Sequence, residues 1–238
     1  MPAKPLSSFR YLSFDVVGTL IDFEAGLVAG LRGIAAEDGV DLDGEAALTL
    51  YRTARYSPDA LRFPDDLARV YVQIAPGLGL RPDPALGARL RDGVAGWAPF
   101  ADSVAALASL KQKYRLIAMT NAQRWAFGHF DAALGQPFHA AFTVDDTGTE
   151  KPDPAFFHQV FAFVEAEGGS RDDILHVAQS QYHDIGVSRV LGLTNCWIER
   201  RHDAAGYGGT IAPAEFTTPD YHFTSMAALA DAARGELA

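Results

Sequence analysis

Hydrophobic positions change their period twice along the 238-residue chain. Residues 11–22 open as an apolar run that carries one carboxylate, Asp15, and breaks at Gly18-Thr19. A short apolar run bounded by glycine predicts a buried strand ending in a loop. From residue 24 the spacing becomes helical. Leu27, Leu31 and Ile34 share one face of a segment that ends near Gly39, and Leu48 and Tyr51 are in phase over residues 44–56. Leu67, Val70, Tyr71 and Ile74 mark a third helix, and Leu86, Leu90 and Val94 a fourth. Residues 24–96 show no strand pattern and predict a helical insertion after the first strand. From Trp97 onward helices and strands alternate. Helices are predicted over residues 103–113, 155–167 and 185–191 and from Ser225, and strands over 114–120, 140–144, 174–178, 196–198 and, at an edge, 221–223. Such alternation predicts an α/β fold with a parallel sheet covered on both faces. Gly206-Tyr207-Gly208-Gly209-Thr210 predicts a flexible loop.

With 48% hydrophobic and 21% charged residues, the chain has enough apolar material for a full core, in one domain with an insertion or in two small ones. The formal net charge of -10 argues against nucleic acid or an anionic membrane as partner, since both call for a basic face. An anionic substrate would have to meet cations placed locally. No apolar stretch approaches the roughly twenty residues that span a bilayer, and the first ten residues lack a signal-peptide core. A cytoplasmic location is the default expectation. Cys196, the only cysteine, has no partner for an internal disulfide and sits in an apolar run, which favours a core position over a nucleophile. A homodimer is one expectation for assembly, with the apolar faces of the inserted helices as a candidate contact.

Three sites along the chain combine chemistry with an abrupt change of structure, two at the end of a strand and one just before the prolines that start a helix. An ionised Asp15 among Phe14, Val16 and Val17 would cost several kcal/mol unless the strand ends there and aims the carboxylate into a cleft. Ligands bind at that edge of open parallel sheets, although an Asp can also cap the following turn. Thr120-Asn121 ends the second strand with a hydroxyl and an amide, both donors to an oxygen anion; the competing reading is a cap for the helix after Gln123. Lys151, between Glu150 and Pro152, is either a rigidly aimed ammonium or a solvated surface lysine.

Phe14-Asp15-x-x-Gly18-Thr19-Leu20 resembles the first motif of the haloacid dehalogenase superfamily, whose Asp is a covalent nucleophile. Thr120 resembles the second motif, Lys151-Pro152 with Phe156 and Phe157 the third, and residues 177–184 the fourth. The resemblance implies a Rossmann-like parallel-sheet core, residues 1–23 and 97–238, with an inserted α-helical cap, residues 24–96. It implies a catalytic set of Asp15, Thr120, Asn121, Lys151 and Asp184. Phosphatases of the superfamily carry a second Asp two residues after the nucleophile, as general acid, and an acidic residue where Gln179 stands. This chain has Val17 and Gln179, so a reaction that needs an acid is disfavoured, as is a magnesium site. No metal and no cofactor is expected. These departures resemble the 2-haloacid dehalogenase branch, and the run Val177-Ala178-Gln179-Ser180-Gln181-Tyr182-His183-Asp184 is similar to a subgroup that includes an azetidine-2-carboxylate hydrolase. The implied activity is hydrolysis of a small 2-substituted carboxylic acid through an Asp15 ester, with a metal-dependent phosphatase and a non-catalytic binding protein as alternatives. Arg52 is the candidate for the substrate carboxylate, with Arg55 as its rival; Gln181 and His183 are the further substrate-binding candidates.

Overall fold

The computed structural model describes residues 4–236; residues 1–3 and 237–238, at the ends of the expected core, lie outside it. Strand β1 (Tyr11–Phe14) is followed by four helices, α1 (Phe23–Glu37), α2 (Gly44–Arg55), α3 (Leu67–Ile74) and α4 (Pro84–Asp92). After α5 (Ser103–Leu110) come β2 (Arg115–Thr120), α6 (Arg124–Ala133), β3 (Ala140–Thr143), the single turn α7 (Val144–Thr147) and α8 (Pro154–Ala166). The chain finishes with β4 (Ile174–Ala178), α9 (Gly186–Val190), β5 (Thr194–Ile198), β6 (Tyr221–Phe223) and α10 (Met226–Gly235). Asp22, Asp43, Asp83 and Asp153 cap α1, α2, α4 and α8 by accepting hydrogen bonds from first-turn amides, which satisfies donors that a helix start leaves open.

The six strands form one parallel sheet in the order β3-β2-β1-β4-β5-β6. β1 lies between β2 and β4 and is buried along its whole length, as a parallel strand covered on both faces must be. Alternate side chains feed two cores. Tyr11, Ile117, Met119 and Ile174 pack against Phe156, Phe157 and Val160 of α8. Leu12, Phe14, Leu116 and Val177 belong to the other cluster, which continues into the inserted helices through Leu27, Leu31, Val70 and Tyr71. Helices α3 and α4 approach at backbone distance: a Cβ on Gly87 would lie 2.5 Å from the Ala68 carbonyl oxygen.

The expected α/β architecture with a parallel sheet is present, and the differences are local. Val144, expected in a strand, starts α7, because Thr143 and Asp146 close a capping box that turns the chain. β5 begins at Thr194, two residues earlier than expected, because Thr194 and Asn195 still pair with Leu175 and His176. The expected helix over 185–191 is preceded by a wide π-type turn, Gln181–Ile185. The Gly-rich stretch expected to be a flexible loop is tied to the inserted helices. The Gly209 amide donates to Glu24 at 2.8 Å, Arg52 donates to the Gly208 carbonyl at 2.7 Å, and Arg201 pairs with Glu24 and Glu45. Among the described residues no helix is long and apolar enough to cross a membrane.

Candidate active site

The carboxyl ends of β2, β1 and β4 lie side by side, and the residues that follow them enclose a cavity of about 90 Å³. Asp15 extends the β1 ladder by donating its amide to the Val177 carbonyl at 3.1 Å. Its carboxylate, 7% exposed, lines the cavity. Gly18, at φ 94°, takes a left-handed turn open to glycine. That turn brings the Thr19 hydroxyl back to donate to Asp15 Oδ2 at 2.6 Å while it accepts the Gln179 amide at 2.8 Å.

Lys151 is 2% exposed, so the solvated-lysine reading does not apply. Its ammonium donates to Asp15 Oδ1 at 2.9 Å, Asp184 Oδ1 at 2.7 Å and the Met119 carbonyl at 2.8 Å. All three of its protons are used. Asn121 holds the lysine's backbone from both sides, donating from Nδ2 to the Lys151 carbonyl at 2.9 Å and accepting the Lys151 amide at 2.7 Å. Asn121 therefore acts on the site through Lys151. Thr120 lines the cavity and accepts the Ala122 amide; neither residue caps α6, whose N-cap is Gln123.

Asp184 sits in the π-type turn and is fully buried. Its Oδ1 takes Lys151 and, at 3.0 Å, His176 Nε2; its Oδ2 is buried without a protein partner. Two carboxylates share one ammonium, and they respond in opposite directions. Burial works against the Asp184 anion, but Lys151 and His176 outweigh it and bring the pKa down to about 2. Asp15 is raised, first by burial and also by the Asp184 charge, with Lys151 and Thr19 acting against the rise.

The opposite wall comes from the inserted helices. Arg55 and Tyr56 line the cavity, and Arg55 Nη2 is held by both oxygens of Glu150 at 3.0 and 3.1 Å. The Tyr56 hydroxyl lies 2.9 Å from His183 Nε2, and His183 Nδ1 lies 3.0 Å from the Ser180 hydroxyl. Burial pushes His183 down to about 4, which makes it neutral at pH 7. Two of the sequence candidates are not among the lining residues. Arg52 donates to the Gly208 carbonyl, and Gln181 accepts the Thr217 amide at 3.1 Å. Cys196 is fully buried on β5, and burial pushes its thiol up, as a core position requires.

Haloacid dehalogenase-like hydrolases are matched over residues 9–177. The chain belongs to that family. It is, accordingly, a hydrolase. Solved structures of the same fold include the defluorinating L-2-haloacid dehalogenase Rha0230, with 21% identity, 98% of this chain and 100% of that one covered and a TM-score of 0.75. The L-2-haloacid dehalogenase PA0810 matches with 22% identity, 95% and 99% coverage and a TM-score of 0.76. The L-2-haloacid dehalogenase from Xanthobacter autotrophicus with chloropropionic acid covalently bound matches with 21% identity, 95% and 99% coverage and a TM-score of 0.71. At such identities the likeness is one of fold. No curated protein matches the sequence.

Within this hydrolase family the donor set around Asp15 does not fit magnesium. Among the described residues no three acidic, His or Cys side chains converge, Val17 and Gln179 line the cavity as neutral groups, and the Lys151 ammonium lies between the two carboxylates. Magnesium prefers several oxygen ligands in octahedral array. Sequence reading passed over His176, Ser180 and Tyr56. The signal for His176 was present, as one imidazole inside the apolar strand Ile174-Leu175-His176-Val177-Ala178; Tyr56 had none, because its place depends on how α2 meets the sheet.

Proposed function

We propose that this hydrolase acts on small 2-substituted carboxylic acids through an ester on Asp15, with residues 24–96 as the cap and residues 1–23 and 97–238 as the core. The observation that carries the reading is the Asp15–Lys151–Asp184 arrangement in the lining of a cavity whose only carboxylates, among the described residues, are those two. Lys151 favours the ionised form of Asp15 that a nucleophile needs. Asp15 attacks C2 of the substrate and the bond to the leaving group breaks with its electron pair. The leaving group departs without a proton from the position of Val17, which suits a halide, or a strained ring amine that is already protonated. Water then adds to the Asp15 carbonyl carbon while Asp184 Oδ2 accepts one of its protons; Asp184 passes that proton to the departing alkoxide oxygen, the 2-hydroxy acid leaves, and the Asp15 carboxylate is restored as the second proton of the water goes to solvent. A cavity of about 90 Å³ suits a short acid rather than a drug-sized ligand.

Arg55, inside the cavity, is the group for the substrate carboxylate, with a planar guanidinium already fixed by Glu150. His183 and Tyr56 border the reacting centre. Arg52 and Gln181 contribute indirectly, through the loop segments they hold. Covalently bound chloropropionic acid in the Xanthobacter enzyme supports a search for the same kind of adduct here. Intact-mass spectrometry of wild type and Asp15→Asn, after incubation with 2-chloro, 2-fluoro and azetidine-type carboxylic acids, tests the reading. Product or added mass that depends on Asp15 is expected. Equal turnover by Asp15→Asn, or turnover of phosphate esters stimulated by magnesium, would refute it.

A further inference from the structure

His176 occupies the centre of β4 and is fully buried, edge-on to Phe157 at 5.4 Å between ring centres. An imidazole there is costly unless both nitrogens are bonded. Both are. The parallel register sets Ser13 of β1 directly opposite His176, and the Ser13 hydroxyl lies 2.9 Å from His176 Nδ1. Nε2 lies 3.0 Å from Asp184 Oδ1. The bonding pattern assigns the tautomer. Nε2 faces the Asp184 carboxylate, which can only accept, so the imidazole presents a proton there, and Nδ1 accepts from Ser13 Oγ, which among the described residues has no other side-chain partner. Oδ1 of Asp184 thus accepts from two buried donors, His176 and Lys151, whereas Oδ2 of the same carboxylate is buried, unpartnered and part of a residue that lines the cavity.

One donor alone would leave the carboxylate free to swing about its bond to Cβ. Two donors converging on one oxygen from different elements, β4 and the segment before α8, hold its plane.

We propose that Ser13 and His176 are positioning residues for the second half of the reaction: together they anchor Asp184 by Oδ1 and keep Oδ2 turned to the water that hydrolyses the Asp15 ester. The role rests on the ester reading above and assigns this pair to one step of it. Among the described residues the Asp15 carboxylate is hydrogen-bonded by Thr19 and Lys151 and by neither of these side chains, so formation of the ester does not depend on them directly. In their absence Asp184 retains Lys151 but loses its fixed direction, and water attack slows while displacement at C2 does not.

Rapid-quench intact-mass measurement on the full chain, with 2-chloropropionate as probe, reads both steps. Wild type should carry the Asp15 ester only transiently. His176→Leu should accumulate it, with hydrolysis slowed by about tenfold or more, up to the 10²–10⁴-fold that a general base contributes, and with the rate of ester formation unchanged. His176→Gln, which keeps a donor near the Nε2 position, should restore much of the hydrolysis rate. Ser13→Ala, which removes a single oxygen, should give a smaller accumulation and serves where the leucine variant folds poorly. Parallel slowing of both steps, or no accumulation in either His176→Leu or Ser13→Ala, would overturn the role while leaving the ester reading intact. A wild type that never gains mass on Asp15 and yields no product would overturn the ester reading, and this role with it.

Discussion

Replacing Lys151 by Met removes the one cation between two buried carboxylates while roughly keeping the side chain's volume. In the wild type the ammonium donates to Asp15, Asp184 and the Met119 carbonyl at 2.7 to 2.9 Å, with the side chain 1% exposed. Asp184 is brought down to about 2, against about 3.9 in an unfolded chain, and a depression of that size corresponds to about 2 to 3 kcal/mol of stability, from which the raised Asp15 subtracts. Because the folded pKa lies below the unfolded one, this contribution is present above about pH 4 and is lost as pH falls towards 2. Breaking a buried pair typically costs about 3–5 kcal/mol, so Lys151→Met should lose about 3 kcal/mol or more near pH 7. Near pH 4.5 the wild-type contribution is still in place, but one carboxylate of the variant can take a proton, and the loss should shrink. Adding Asp184→Asn should recover part of the stability without restoring turnover. Urea unfolding followed by circular dichroism at both pH values measures this. A loss below about 1 kcal/mol that does not change with pH would be that of an exposed ion pair and would refute the account of Lys151 as the shared counter-ion.

His183, pushed down to about 4 by burial, titrates near 6.5 once unfolded. The unfolded chain therefore binds more protons between those values, and stability should rise with pH across that window and be lost as pH falls through it; His183→Gln should flatten the slope, and an unchanged slope in urea midpoints would count against the buried neutral imidazole. Arg55→Lys should raise KM for 2-substituted acids by about tenfold, a cost near 1.4 kcal/mol, with kcat little altered. If Arg52→Lys raises KM instead and Arg55→Lys does not, the carboxylate is bound by the other arginine. Gly87→Ala should lower stability by about 1–3 kcal/mol, since its Cβ would meet the Ala68 carbonyl at 2.5 Å; thermal or urea unfolding equal to wild type would mean that α3 and α4 can separate at no cost.

The elements and their order were legible in local pattern. Apolar period and capping residues act over a few positions, so β1, the run of helices α1 to α4 and the later alternation follow from local composition, as does the placing of Asp15 and Thr120 at strand ends. Chemistry confined to one peptide stretch was legible in the same way, as in the turn that Gly18 permits before Thr19. Tertiary structure decided what those residues do to one another. Lys151 reaches Asp15 across 136 positions, and apart from the motif resemblance the residues around 151 do not distinguish a buried ammonium from a solvated one. Asn121 read as an anion donor or a helix cap, whereas the fold spends its amide on the lysine's backbone. Arg52 and Arg55 lie on the same helix three residues apart; which of them faces the cavity depends on how α2 is rotated against the sheet and on the 206–210 segment that takes up Arg52. The pairing of Ser13 with His176 needed the register of two strands that are more than 150 residues apart in sequence. Local pattern reports what a segment can form, but hydrogen-bond partners and charge compensation are properties of surfaces brought together, and only the packed sheet and its covering helices specify them.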